Sequence, residues 1–189
     1  MKSIKYFTQF LIISILFLMF KILGLNFASY ISGKIISFVG PFFRSKNLIK
    51  SNILKAFPNL SKNEIEKITK KMWNNYGRIL AEYIFIKDFR LSKLENNIEI
   101  EGHKILEKIR QSNEPVIFIS GHFNNFELMA MQIEKSGINL AAIYRPLNNR
   151  FLNFIMERIR KKYICKNQIK KGISGTKQLL SFFKKKTSI

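Results

Sequence analysis

The residues best suited to chemistry stand together at Ser120-Gly121-His122-Phe123-Asn124-Asn125-Phe126-Glu127. They follow a β-branched apolar run, 115–119 (PVIFI), and precede a helical pattern over 125–135. Open α/β sheets place their ligands at such carboxyl ends of strands. Gly121 permits a tight turn and close approach of a substrate. Asn124 or Asn125 can cap the helix, which leaves Glu127 in its first turn. His122 and Glu127 are five positions apart, so on one continuous helix they would face different ways. With His122 on the loop and Glu127 at the helix start, the carboxylate can bond one imidazole nitrogen and fix the tautomer. The other nitrogen is then available to accept a hydroxyl proton. This is a general base with its orienter, and it uses no protein nucleophile. The plainer alternatives are a capping or core histidine and an acid that merely favours the helix dipole.

A second cluster, Tyr144-Arg145-Pro146, ends the next apolar run. In a parallel sheet it falls on the same edge as His122. Arg145 there can hold a phosphate or a carbonyl oxygen, or be a surface arginine before a turn. Arg158, Arg160, Lys161 and Lys162 crowd the following helix, as a phosphate site or as a solvated basic face.

The elements that must position these residues follow from periodicity. Residues 97–101 (NIEIE) alternate as a half-exposed strand does, 103–110 read as a helix, and 115–119 read as a short buried strand. Residues 139–144 form the next strand and 149–162 the next helix. The alternation predicts α/β with a partly parallel sheet. Upstream the pattern is wholly helical. Residues 44–57 have helical spacing up to Pro58. Ser61 and Glu64 make a capping-box pattern for a helix over about 62–86.

Residues 6–20 are almost wholly apolar between Lys2, Lys5 and Lys21, and a second apolar stretch runs to Phe43, broken at Pro41. A spanning helix wants about 20 apolar residues, and the first run is shorter. A membrane anchor, a buried core helix and a signal peptide remain open, although no small-residue cleavage site follows. Aromatic residues from Phe17 to Phe43 suit an interfacial surface. Three regions result: an anchor over 1–43, a helical region over 44–96 and a partial α/β core over 97–189.

Charge and composition limit the partners. The 189 residues carry 33 Lys+Arg against 12 Asp+Glu, a net charge of +21, and the first acid is Glu64. Such a chain prefers nucleic acid, anionic lipid or an acidic protein. No nucleic-acid reader motif is present, and the apolar N-terminus argues against that partner. One cysteine excludes a disulfide framework, and two histidines leave almost nothing for a zinc site.

The motifs taken in order resemble the bacterial lipid A biosynthesis acyltransferases, the late lauroyl/myristoyl family. Ser51-Asn52-Ile53-Leu54-Lys55-Ala56-Phe57-Pro58 is similar to a family pattern, as are Met72-Trp73-Asn74-Asn75-Tyr76-Gly77-Arg78 and Ala81-Glu82-Tyr83. His122 through Glu127 matches the family's HxxxxE motif. Tyr144-Arg145-Pro146-Leu147-Asn148-Asn149 and Ile169-Lys170-Lys171-Gly172 with Gly175 match two more. The resemblance implies N-terminal membrane-associated helices followed by an incomplete acyltransferase-type α/β sheet. It implies His122 as general base and Glu127 as its partner. It implies Arg160, Arg145 and Asn125 as substrate-binding residues, the arginines holding phosphate or the developing oxyanion. The donor would be an acyl carrier protein thioester and the acceptor a hydroxyl of a lipid A precursor, with no metal and no bound cofactor. The place would be the cytoplasmic face of the inner membrane. Acceptors of a related kind, another glycolipid or a lysophospholipid, follow next. Family members run longer at the C-terminus, so a truncated, membrane-binding remnant is also an expectation.

Overall fold

The computed structural model describes residues 2–189. Two compact units emerge: Leu16–Phe85, and Ile86–Ile189 together with the residues up to Ile15.

The first helix, α1 (Lys2–Leu23), is longer than the apolar run that predicts it. Its flanking lysines extend it, and Gly24 ends it with a φ of 75°. Helix α2 (Leu25–Val39) follows, and a 3₁₀ turn at Gly40–Phe42 carries Pro41. Helix α3 (Lys46–Ala56) is capped by Ser45, and α4 (Lys62–Glu82) by the reciprocal Ser61–Glu64 box. The predicted helix to residue 86 is interrupted. A 3₁₀ turn at Tyr83–Phe85 separates α4 from α5 (Ile86–Leu91).

Small residues set the approach of α2 to α4. Ala28, Ser29, Ser32 and Gly33 are the buried positions of α2, and Gly77 and Ala81 answer from α4. The Ser32 hydroxyl donates to the Gly77 carbonyl at 2.6 Å. A Cβ on Gly77 would stand 2.3 Å from the Ser32 carbonyl oxygen, so only glycine lets the two backbones meet. The contacts run 29 to 82, 32 to 77 and 33 to 74, which makes the pair antiparallel.

The other unit is α/β but helix-rich. The predicted strand 97–101 does not form. A 3₁₀ turn at Lys93–Asn97 takes its place, and an irregular stretch leads to α6 (His103–Ser112). Alternation alone makes no strand; a strand needs a neighbour to hydrogen-bond, and NIEIE has none among the described residues. Regular sheet is limited to β1 (Ala141–Tyr144) and β2 (Asn167–Lys170), paired in parallel. Helix α7 (Glu127–Lys135) precedes β1, α8 (Arg150–Tyr163) joins the strands, and α9 (Ile173–Lys184) follows.

The chain's last residues enlarge this sheet. The Ala141 amide donates to Ser188 and the Ser188 amide to Asn139, both at 2.8 Å. On the far side, the Ile189 amide donates to Val116 at 3.0 Å and the Phe118 amide to Ile189 at 2.7 Å. Residue 189 therefore bridges 116 and 118 as parallel strands do. The lateral order is 116–118, 188–189, β1, β2. The expectation of a buried strand at 115–119 is corrected: it is extended, but Ile117 is 66% and Ile119 92% exposed. Only one of its faces is covered.

Candidate active site

The carboxyl ends of 115–119 and β1 lie on one edge of this parallel arrangement, and the loop 120–126 starts there. Asn124 takes a left-handed φ of 45° and turns the chain into α7. The N-cap position of that helix is not an asparagine, contrary to the expectation. Phe126 stands at the N-cap, and backbone carbonyls accept the first amides, Leu128 to Asn125 at 3.1 Å and Met129 to Phe126 at 3.2 Å. Asn125 is buried instead.

His122 is exposed. Its ring meets the edge of Phe126 at 4.4 Å between centroids, and it makes no hydrogen bond among the described residues. Glu127 is 7% exposed and is held by Arg160 of α8. Arg160 Nε donates to Glu127 Oε1 at 2.8 Å, and Nη2 donates to the same oxygen. Thus the carboxylate that the spacing assigns to His122 has an arginine as its partner here. Two N–H donors on one buried carboxylate make a strong charge-assisted contact.

Arg160 also lies 5.5 Å over the ring of Tyr144, the last residue of β1. The Tyr144 hydroxyl donates to Glu157 Oε1, which also accepts from Asn153 Nδ2 at 2.8 Å and Lys170 Nζ at 3.2 Å. Burial, then the Glu157 carboxylate, push the Tyr144 phenol far above the usual tyrosine range. The same hydrogen bond is the main cause that holds Glu157 below the usual carboxylate range. Tyr144 is therefore a neutral donor at any physiological pH. This line of polar groups joins α7, β1, α8 and β2.

His122, Glu127, Tyr144 and Arg160 line one cavity of about 260 Å³. Its remaining walls are largely apolar, with Met129, Ile133 and Ile164 among them. Arg145 and Asn125 do not line it; Arg145 is exposed, without an ion pair among the described residues. Glu157 and Asn153 were not anticipated as site residues. Their i, i+4 spacing, with Arg160 three further on, places all three along one side of α8 and is the signal that could have revealed them.

The other motif positions do local work. Asn149 caps α8, accepting from the amides of Phe151 at 3.1 Å and Leu152 at 3.3 Å, while its Nδ2 donates to the Tyr6 carbonyl at 2.8 Å. Gly175 lets α9 start against β2, since a Cβ there would lie 1.9 Å from the Lys170 oxygen.

The geometry thus sets an exposed histidine at the carboxyl edge of a parallel arrangement, beside a buried acid–arginine pair and a largely apolar cavity. The family model for bacterial lipid A biosynthesis acyltransferases matches residues 1–189. The chain belongs to that family. Among its curated relatives is the lipid A biosynthesis myristoyltransferase of Escherichia coli K12, 24% identical over 131 residues, 69% of this chain and 40% of the relative. The palmitoleoyltransferase of the same organism is 26% identical over 140 residues, 71% of this chain and 45% of the relative. Lipid A biosynthesis acyltransferase 2 of Shigella flexneri is 25% identical over 142 residues, covering 73% and 44%. The chain thus spans less than half the length of these relatives. No solved structure matches it.

Proposed function

We propose that this chain carries the base-catalysed half of an acyl transfer from an acyl carrier protein thioester to a hydroxyl of a lipid A precursor. The observation that carries the reading is His122 at the mouth of an apolar cavity whose polar wall is Glu127 held by Arg160. An accessible imidazole free of other hydrogen bonds can take the acceptor's hydroxyl proton. The alkoxide attacks the thioester carbonyl. The tetrahedral intermediate then collapses: the carbon–sulfur bond breaks, the ester remains, and the imidazolium returns its proton to the leaving thiolate.

Glu127 serves as the orienter in this reading. Arg160 engages its Oε1, and Oε2 has no hydrogen bond among the described residues, so that oxygen can meet the imidazolium as charge develops. Arg160 sets the carboxylate's position and offers positive charge near the oxyanion. Arg145, exposed just after β1, contacts the acceptor's phosphate or sugar from outside the cavity, and Asn125, buried in the loop before α7, supports that loop instead. The apolar walls receive acyl chain. Helix α1 holds the chain on the cytoplasmic face of the inner membrane: within its 22 residues an 18-residue stretch has a mean hydropathy of 2.0, and little of that stretch is buried.

The test is transfer from an acyl carrier protein thioester to a tetra-acylated lipid A precursor, in membranes holding only this chain. His122→Ala is expected to lower the rate about 10²- to 10⁴-fold, the usual worth of a general base. A variant that kept most of the rate would remove His122 from the role. Transfer to a lysophospholipid and not to the precursor would replace the acceptor.

A further inference from the structure

A second site lies in the unit Leu16–Phe85, and every residue in it comes from α2, α3, α4 and the turns beside them. A cleft of about 350 Å³ there is lined by Lys46, Lys50, Lys62, Lys70, Glu66 and Trp73. Lys46 and Lys50 are one turn apart on α3, and Lys62 and Lys70 two turns apart on α4, so each pair shares a face. All four lysines are exposed, and among the described residues none has an ion pair. Glu66 is the single acid. Beneath the lysines the cleft is apolar, with the buried Ile49 and Ile65 in its walls. The indole N–H of Trp73 is buried and lacks a hydrogen-bond partner among the described residues. An unmet buried donor is costly, and an ester or phosphate oxygen is the kind of acceptor it lacks.

The rim is unusual in the same way. Pro41 lines the cleft, and its neighbours Phe42 and Phe43 are 81% and 79% exposed. Phe38, at the end of α2, is 75% exposed and meets Phe42 edge-on at 6.4 Å. Exposed Phe27, Tyr30 and Ile35 continue that apolar face back along α2. Protruding aromatic rings beside a cluster of lysines are the pattern of a surface that enters the headgroup region of an anionic bilayer. The cores of protein–protein interfaces, by contrast, are depleted in lysine.

We propose that this cleft binds an anionic phospholipid, with its headgroup phosphate among Lys46, Lys50, Lys62 and Lys70, its chains toward Ile49 and Ile65, and Phe38, Phe42 and Phe43 seated in the surrounding lipid. Its lining shares no residue with α1 or with the His122 cavity, and the proposal does not rest on the acyl-transfer reading.

Trp73 is the chain's one tryptophan, so its emission reports on this cleft directly. The full chain in neutral detergent is titrated with short-chain phosphatidylglycerol, phosphatidylcholine, inorganic phosphate and an acidic carrier protein. Phosphatidylglycerol is expected to change the emission saturably, with half-saturation about tenfold or more below that of phosphatidylcholine. Converting the four lysines to glutamine should erase that preference with an unchanged circular-dichroism spectrum. Glu66→Gln should tighten phosphatidylglycerol binding, a gain that no folding defect can imitate. In vesicles, bromine-labelled phosphatidylglycerol should quench Trp73, and less so after F42A/F43A. Equal response to both lipids overturns the proposal. So does saturation by inorganic phosphate at the same concentration, which would mean a free-anion site, or a response to the carrier protein alone.

Discussion

Glu127 and Arg160 are the most tightly constrained charges of the candidate active site. Their side chains are 9% and 11% exposed, and both arginine donors converge on one carboxylate oxygen. Removing one member leaves the other charged and poorly solvated, which typically costs about 3–5 kcal/mol. Arg160→Ala should therefore lower the thermal midpoint sharply. Glu127→Gln added to it should recover part of the loss, because the orphaned charge is gone. His122→Ala should leave the midpoint nearly unchanged, since that ring is exposed. Simple additivity of Arg160→Ala and Glu127→Gln in a double-mutant cycle would show that the pair is not coupled. This contact also marks where reading the sequence stops. His122 and Glu127 were found from spacing within one loop. The arginine that holds Glu127 lies 33 positions away, and only the docking of α8 beside α7 joins them.

At the scale of elements, the antiparallel meeting of α2 and α4 depends on a glycine that no apolar count reveals. Gly77→Ala would drive a methyl into the Ser32 carbonyl at 2.3 Å, and the helices must separate to admit it. A loss of about 1–3 kcal/mol is expected, as for other overpacked contacts. Gln, Ser or Ala at the exposed Arg78 next door should change little. Thermal melts in detergent compare the two, and equal midpoints would mean that α2 and α4 can shift apart freely. Local signals served the helices well. The Ser61–Glu64 box opens α4 as its spacing predicts, because both hydrogen bonds lie within one turn. Strands were less legible, since their partners are distant. NIEIE at 97–101 has the alternation and no neighbouring strand among the described residues. Residues 115–119 do find a neighbour, but it is the chain's last residue, Ile189.

For the whole molecule, the membrane hold proposed for α1 is constrained by the contacts of its first turns. Phe7 and Phe10 pack against Phe151 of α8, at 5.6 and 5.8 Å between ring centroids. The Tyr6 carbonyl accepts from Asn149, and Ser3 Oγ accepts from Arg150 at 2.9 Å. The first turns of α1 are thus docked on the same unit that holds the catalytic candidate. Beyond Phe10 only residues 11–23 remain, about 20 Å of helix at 1.5 Å per residue. A hydrocarbon core is about 30 Å thick, so in the membrane-bound state proposed above the docked helix is expected to enter the bilayer without crossing it. The chain should then resist a high-salt wash, because the hold is apolar. A cysteine placed at Ser3 should react with an impermeant maleimide from the same side of sealed vesicles as one placed at Lys161. The native Cys165, 1% exposed, would not compete. Labelling of Ser3→Cys from the opposite side would mean that α1 leaves α8 and spans. The Asn149 and Arg150 contacts would then be broken in the membrane-bound protein, and the cap of α8, which carries Arg160, would have to be supported in another way.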